Sequence, residues 1–278
     1  LCFDTPPLAE DMKLLGAAEL DLLISVDQPH VNLTARLCDV APEGESAVFT
    51  YGVLNLGHRD GHEHPEPCPV NKPIRVRMTL NDTGRTIEQR RRHAAQHLGH
   101  RLRLALQTQF WFVLWPEPHL CTLSLESGAS LITLPVRPVS PLDAQVRFAA
   151  AEIAPPVPVT MLRQSHHGKT VEDDLSTGIR TTRLVNDHGR ALIEDRAIEI
   201  DWASADTFTI HADDPLTARL ESRVSAYYKS AEADVAVAAH SVLTADAAAF
   251  HLTWRLEARE DQDVVFEREE TVRIARDE

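Results

Sequence analysis

Phe250-His251-Leu252-Thr253-Trp254-Arg255-Leu256-Glu257-Ala258 places an apolar residue at every second position with a polar one between. Successive strand side chains point to opposite faces of a sheet, so this period predicts a β-strand with one buried and one wetted face. The same signal spreads outward through 159–166, 179–185, 190–200, 207–211, 216–228, 232–243 and 263–274. Glu260-Asp261-Gln262-Asp263 and Asn186-Asp187-His188-Gly189 have the composition of hairpin loops, which predicts antiparallel pairing in sequence order. Period alone leaves a flat meander and a partly curled barrel both open.

The first half repeats the pattern in shorter pieces. Ile74, Val76, Met78 and Leu80 alternate with Arg75, Arg77 and Thr79, and Leu20, Leu22, Ile24 and Val26 alternate less strictly. Further strands are predicted at 31–40, 47–56, 101–108, 121–126 and 131–136, separated by turn signals such as Pro42-Glu43-Gly44-Glu45 and Ser127-Gly128-Ala129. Many short strands so punctuated imply a sandwich or jelly roll. Helical signal is sparse: Leu8–Leu15 reads as a short turn, and 86–98 is helix-tolerant without an apolar stripe. The prolines of Pro135-Val136-Arg137-Pro138-Val139-Ser140-Pro141 remove ladder donors and hold their predecessors extended, so a boundary is placed there. The expected organisation is all-β: a jelly-roll sandwich over 1–138 and a second antiparallel β domain over 139–278.

Composition narrows the partners. The chain has 278 residues, 28 Lys plus Arg against 42 Asp plus Glu, and a formal net charge of -14. Such a surface repels nucleic-acid phosphates and anionic headgroups, so neither nucleic acid nor a membrane is expected as partner. Residues 1–138 hold 13 basic and 16 acidic side chains, which leaves most of the negative excess to the second half and agrees with two domains. No apolar run is long enough to span a bilayer as a helix. Cys2, Cys38, Cys68 and Cys121 form no CxxC pair and read as thiols of a reducing, cytoplasmic setting. The start Leu1-Cys2-Phe3-Asp4 lacks an initiator Met and a signal sequence, as expected of a cut or processed end.

Chemistry is hard to find. No G-x-S-x-G nucleophile elbow and no phosphate-cradling glycine loop occurs. His58-Arg59-Asp60-Gly61-His62-Glu63-His64-Pro65-Glu66-Pro67 resembles a metal site, with His58, His62 and His64 as ligand candidates. Arg59 and the two prolines make a polar loop the better reading, so no metal and no cofactor are expected. His93, His97, His100, His119 and the pair His166-His167 rank lower still, and Arg90-Arg91-Arg92 reads as a solvated face. Gln109-Phe110-Trp111-Phe112-Val113-Leu114-Trp115-Pro116-Glu117-Pro118 holds two of the four tryptophans. It reads either as a core strand ending in a proline corner, or as a loop whose Trp111, Phe112 and Trp115 meet a neighbouring domain or rim its pocket.

Several segments resemble, in order and spacing, the C-terminal region of the CocE/NonD hydrolases, the family of cocaine esterase, α-amino-acid ester hydrolases and X-prolyl dipeptidyl-peptidases. They are LCFDTPPLAEDMKLLG, ARLCDVAPEGES, YGVLNLGHRDGHEHPEP, LGHRLRLALQTQFWFVLWPEP and LITLPVRP. DDPLTARLESRV and FHLTWRLEAREDQDVVFEREETVRIARDE are similar to the extra β domain of longer members. TIEQRRRHAAQHLGHR is longer and more polar than the pattern, and Phe112 stands where a proline is usual. The resemblance implies a galactose-binding-like jelly roll, with the serine triad in an upstream α/β-hydrolase domain and no catalytic residue in this stretch. It also implies a role in packing that domain and shaping access for a small ester or X-Pro peptide substrate. An independent carbohydrate- or ligand-binding module is the competing reading, and a homo-oligomer is left open.

Overall fold

The computed structural model describes residues 1–89 and 99–276. The chain divides into two compact units, Leu1–Ala149 and a second that begins at Ala150. Between the sequence boundary at 138 and this division lies a 3-10 turn, Pro141–Gln145, capped by the Ser140 hydroxyl. The stretch onward to residue 158 forms neither helix nor strand and is exposed.

In the first unit the strands are β1 (Cys2–Asp4), β2 (Met12–Gly16), β3 (Glu19–Val26), β4 (Asn32–Val40), β5 (Ser46–Asn55), β6 (Ile74–Thr79), β7 (Thr83–Ile87), β8 (Arg101–Gln107), β9 (Leu123–Leu125) and β10 (Leu131–Thr133). One sheet runs β1-β8-β4-β5 and the other β10-β3-β6 with β9 also on β3, while β2 and β7 form a ribbon. The chain passes repeatedly from one sheet to the other, as a jelly-roll sandwich requires. All these pairings are antiparallel.

The alternation read in the sequence is what closes this sandwich. Leu20, Leu22, Ile24 and Val26 of β3 are buried, as are Val76 and Met78 of the neighbouring β6. Leu33, Ala35 and Leu37 of β4 belong to the same core. On the wet side of β3, Asp21 takes ion pairs from Arg75 and, at 3.5 Å, from Arg77. The Arg75 bond holds the Asp21 carboxyl below the usual carboxylate range.

At Leu8–Leu15 the structure departs from the predicted turn. Met12–Gly16 is strand β2, paired with β7 from Met12↔Ile87 to Gly16↔Thr83. Leu14 is buried while Lys13 and Leu15 are exposed, an alternation that the adjacent leucines disguise. Of the predicted helix-tolerant stretch 86–98, the first residues end β7; Arg90, Arg91, Arg92, His93 and His97 lie outside the described residues.

Eight strands make one antiparallel sheet in the second unit: β11 (Val159–Arg163), β12 (His166–Asp174), β13 (Ile179–Ile193), β14 (Ile198–His211), β15 (Asp214–Lys229), β16 (Asp234–Ala245), β17 (Ala249–Glu260) and β18 (Asp263–Ala275). From β13 to β18 every strand pairs with the next, and the ends of the sheet do not pair with each other among the described residues. β17 and β18 are joined at Asp261-Gln262, with Asp261 in the left-handed region.

The other predicted hairpin is a bulge instead. Asn186-Asp187-His188-Gly189 lies inside β13, where the register to β14 shifts between Asp187 and Arg190. β12 pairs with β13 up to Asp187 and β11 takes over from Arg190, so the irregularity marks a change of partner. Gly189 has φ +74, and its N–H donates to Asp187 Oδ1 at 2.8 Å. Arg163 staples the junction by ion pairs to Asp187 and, at 2.9 Å, to Asp201.

Register assigns this sheet two unlike faces. One carries Ile200, Trp202, Tyr228, Val224, Val237 and Ala239, with Leu252, Trp254 and Leu256 in line on β17. The opposite face carries an ionic lattice in which Glu221 meets Arg219, Arg223 and His240, and Glu257 meets Arg255 and Arg259. Among the described residues no helix is long and apolar enough to cross a membrane.

Candidate functional site

The aromatic segment is built where β8 ends. Beyond Gln107 the chain leaves the ladder, and Leu114 N–H donates to Phe110 O at 2.8 Å, closing a turn over Phe110–Leu114. The β4–β5 register sets Arg36 directly beside Tyr51. Phe110 packs edge-on against Tyr51 with centroids 5.5 Å apart, and the Arg36 guanidinium lies 5.4 Å from the Phe110 ring. Arg36 also donates to Gln107 Oε1 at 2.9 Å, and Asn32 Nδ2 donates to Glu117 Oε1 at 2.6 Å. The loop is thus tied at both ends to β4.

Trp111 and Trp115 meet edge to face, their centroids 5.4 Å apart and their planes at 78°. Both are half-buried, as is Phe112, whose peptide bond to Trp111 is cis. Val113 and Leu120 are 49% and 46% exposed, so the loop keeps an apolar outward side. Two crossed indoles present no continuous flat platform of the kind on which a sugar ring stacks.

The histidine cluster is organised by its arginine. Leu56–His58 forms a 3-10 turn whose N-cap, Asn55, accepts from Gly57 N–H. Arg59 is nearly buried, donates to Leu56 O at 3.1 Å and Glu66 O at 2.7 Å, and pairs with the Asp60 carboxylate. Those bonds fix the loop as a collar round one guanidinium, consistent with its polar composition. His58 and His62 are brought together, their Nδ1 atoms 3.2 Å apart, while His64 points out to solvent 3.9 Å from Glu63. Among the described residues no three His, Cys, Asp or Glu side chains are grouped to hold a metal ion. His119 is exposed, and His167 rests edge-on against His188 at 5.0 Å.

Sequence reasoning ranked His100 as a histidine that merely packs or hydrogen-bonds, and did not foresee its partner. Asp39 on β4 and His100 at the entry to β8 are both 8% exposed. His100 Nδ1 and Asp39 Oδ1 are 2.6 Å apart, and Arg85 of β7 donates to Asp39 Oδ2 at 3.0 Å. The three lie on separate strands or strand ends, and no local motif could have united them. With no nucleophile in the group, it serves as an internal ionic brace joining β7 to the β4–β8 sheet.

The four cysteines are unpaired. Burial pushes the Cys68 thiol up, and burial together with Asp27 raises Cys121 to about 11. Since the thiolate is the reactive species, a thiol reagent at neutral pH is expected to label exposed Cys2 first, with Cys38, Cys68 and Cys121 slower. Mass-resolved labelling kinetics check this, and equal rates at Cys2 and buried Cys38 would contradict the burial pattern.

No curated protein matches the chain. Solved structures that resemble it include an α-amino acid ester hydrolase, at 21% identity and a TM-score of 0.44, covering 49% of this chain and 25% of that one. An aminopeptidase from the marine sediment archaeon Thaumarchaeota archaeon is 15% identical with a TM-score of 0.42, covering 50% and 26%. A CocE/NonD family hydrolase from Staphylococcus aureus is 14% identical with a TM-score of 0.39, covering 49% and 30%. The match to this chain therefore spans less than a third of each of those proteins. The family described as the X-Pro dipeptidyl-peptidase C-terminal non-catalytic domain matches residues 1–145, and with more than half its length so matched, this chain belongs to that family.

Proposed function

We propose that this chain is the accessory C-terminal part of a serine hydrolase acting on small esters or X-Pro peptides, with chemistry supplied by an upstream α/β-hydrolase domain. The observation that carries the reading is the family match over residues 1–145, of a domain defined as non-catalytic. On this reading the sandwich and the second β domain, 1–138 and 139–278, position the catalytic domain and shape access to its pocket. A cytoplasmic setting fits the four unpaired thiols.

Trp111, Phe112 and Trp115 are the contact residues proposed for the catalytic domain. What supports them is a loop pinned to β4 whose aromatic and aliphatic side chains are only half covered, which is the character of an inter-domain surface. The chain alone is expected to release no product from activated esters or X-Pro anilides above a buffer blank. Turnover abolished by a serine-directed inhibitor would overturn the accessory reading. In the full-length enzyme Trp115→Ala is expected to raise KM or weaken domain docking while the nucleophile still reacts with an active-site titrant. Unchanged kinetics together with a large loss of stability in this chain would make Trp115 a core residue of the sandwich alone.

A further inference from the structure

We infer that the apolar face of the second unit is a dimerisation surface, covered in solution by the same face of a second copy of this chain. A sheet apolar on one side must bury that side against another layer. Ile200, Trp202, Tyr228 and Val237, on the middle strands β14 to β16, are each about two-fifths exposed, and Phe266 and Ile274 on β18 are half exposed. Among the described residues the strands of this unit form a single sheet, so it supplies no second layer of its own.

Size and charge point to self-association. The sheet is seven strands wide where β11 and β12 share one place beside β13, and its inner strands are 12 to 16 residues long. At about 4.8 Å between strands and about 3.3 Å per residue, the face measures roughly 1,200 Å2. A stable interface needs about 800 Å2 from each partner. Away from turns and strand ends, this face carries Lys169, Arg180 and Arg268 against Asp173, Asp206 and Glu270. Four of these six charges pair with one another, Arg180 with Asp173 and Arg268 with Glu270, while Asp206 accepts a hydrogen bond from Ser222. Although the chain is at -14, two copies can stack here without like-charge repulsion, and no oppositely charged partner is called for. Stacked about 10 Å apart, the two sheets would form a β-sandwich across a two-fold axis.

Sedimentation velocity on the full 278-residue chain tests this. The expected result is a species of twice the 31.0 kDa chain mass, with association weakened at least about 100-fold in favour of monomer by Trp202→Lys with Val237→Lys. Ala205→Lys, on the opposite face by register, is expected to leave the dimer intact. Should the double variant lose its β circular dichroism, Tyr228→Lys alone gives the same reading. A wild-type chain that stays monomeric at about 100 μM, or a dimer that survives the face substitutions, would overturn the inference. A monomer whose Trp202 is shielded from acrylamide would mean that the face is covered within one chain, and overturns it equally.

Discussion

Replacing Asp39 with alanine is expected to lower the unfolding free energy by about 2–3 kcal/mol, the cost of leaving buried polar groups without their acceptor. Among the described residues Asp39 is the acceptor that the His100 Nδ1 and an Arg85 donor share, and it sits almost wholly inside the sandwich. Taking it away leaves the imidazole buried without its carboxylate and strands part of a guanidinium. Asp39→Asn keeps the shape and one acceptor, so a smaller loss is expected from it. Urea unfolding of the two variants beside the parent is the measurement. A loss below about 1 kcal/mol for the alanine variant would show that the triad behaves as an exposed pair.

Gly189→Ala is expected to disrupt the strand junction of the second unit. At φ +74 an L side chain is strained, and a Cβ at this position would lie 2.3 Å from Arg163 O and 2.8 Å from Ser165 N. No flexible side chain can yield there, because the obstacles are backbone. A cost of at least about 2–3 kcal/mol follows from incompatible backbone geometry and overpacking together. The loss should be local: hydrogen exchange is expected to quicken through β11, β12 and the middle of β13, with the sandwich unaffected. Exchange unchanged in β11 and β12 would show that the bulge can re-form around a methyl group.

These two sites also mark where sequence stops being readable. The period of Phe250–Ala258 predicts β17, and the burial of alternate residues in β3 follows the same rule, because each strand's faces are set locally. Asn186–Gly189 supplies a glycine able to take positive φ and an aspartate able to accept from it, a chemistry shared by hairpins and bulges. Only the handover from β12 to β11 decides between them, and that is a tertiary fact. Asp39 and His100 are 61 residues apart, so their meeting depends on the β4–β8 register rather than on any motif. The aromatic segment announces itself by composition, yet its seat on β4 depends on Arg36 and Tyr51 becoming neighbours through the β4–β5 ladder. Leu14-Leu15 hid a strand because its partner β7 lies some 70 residues away, with pairs such as Leu15↔Gly84.

The rims of the eight-stranded sheet have a consequence of their own. β12 ends in Glu172, Asp173 and Asp174, and β18 carries Glu267, Glu269 and Glu270 around a single arginine. Each rim strand has an open row of backbone donors and acceptors, the template on which strands of other molecules add to make fibrils. A further copy approaching either rim would have to strip water from these carboxylates and their arginine partners, so lateral growth is resisted where the ladder stops. Neutralising Glu267, Glu269 and Glu270 would remove that guard without touching a core side chain, turning a sheet of fixed width into one that can lengthen by recruitment.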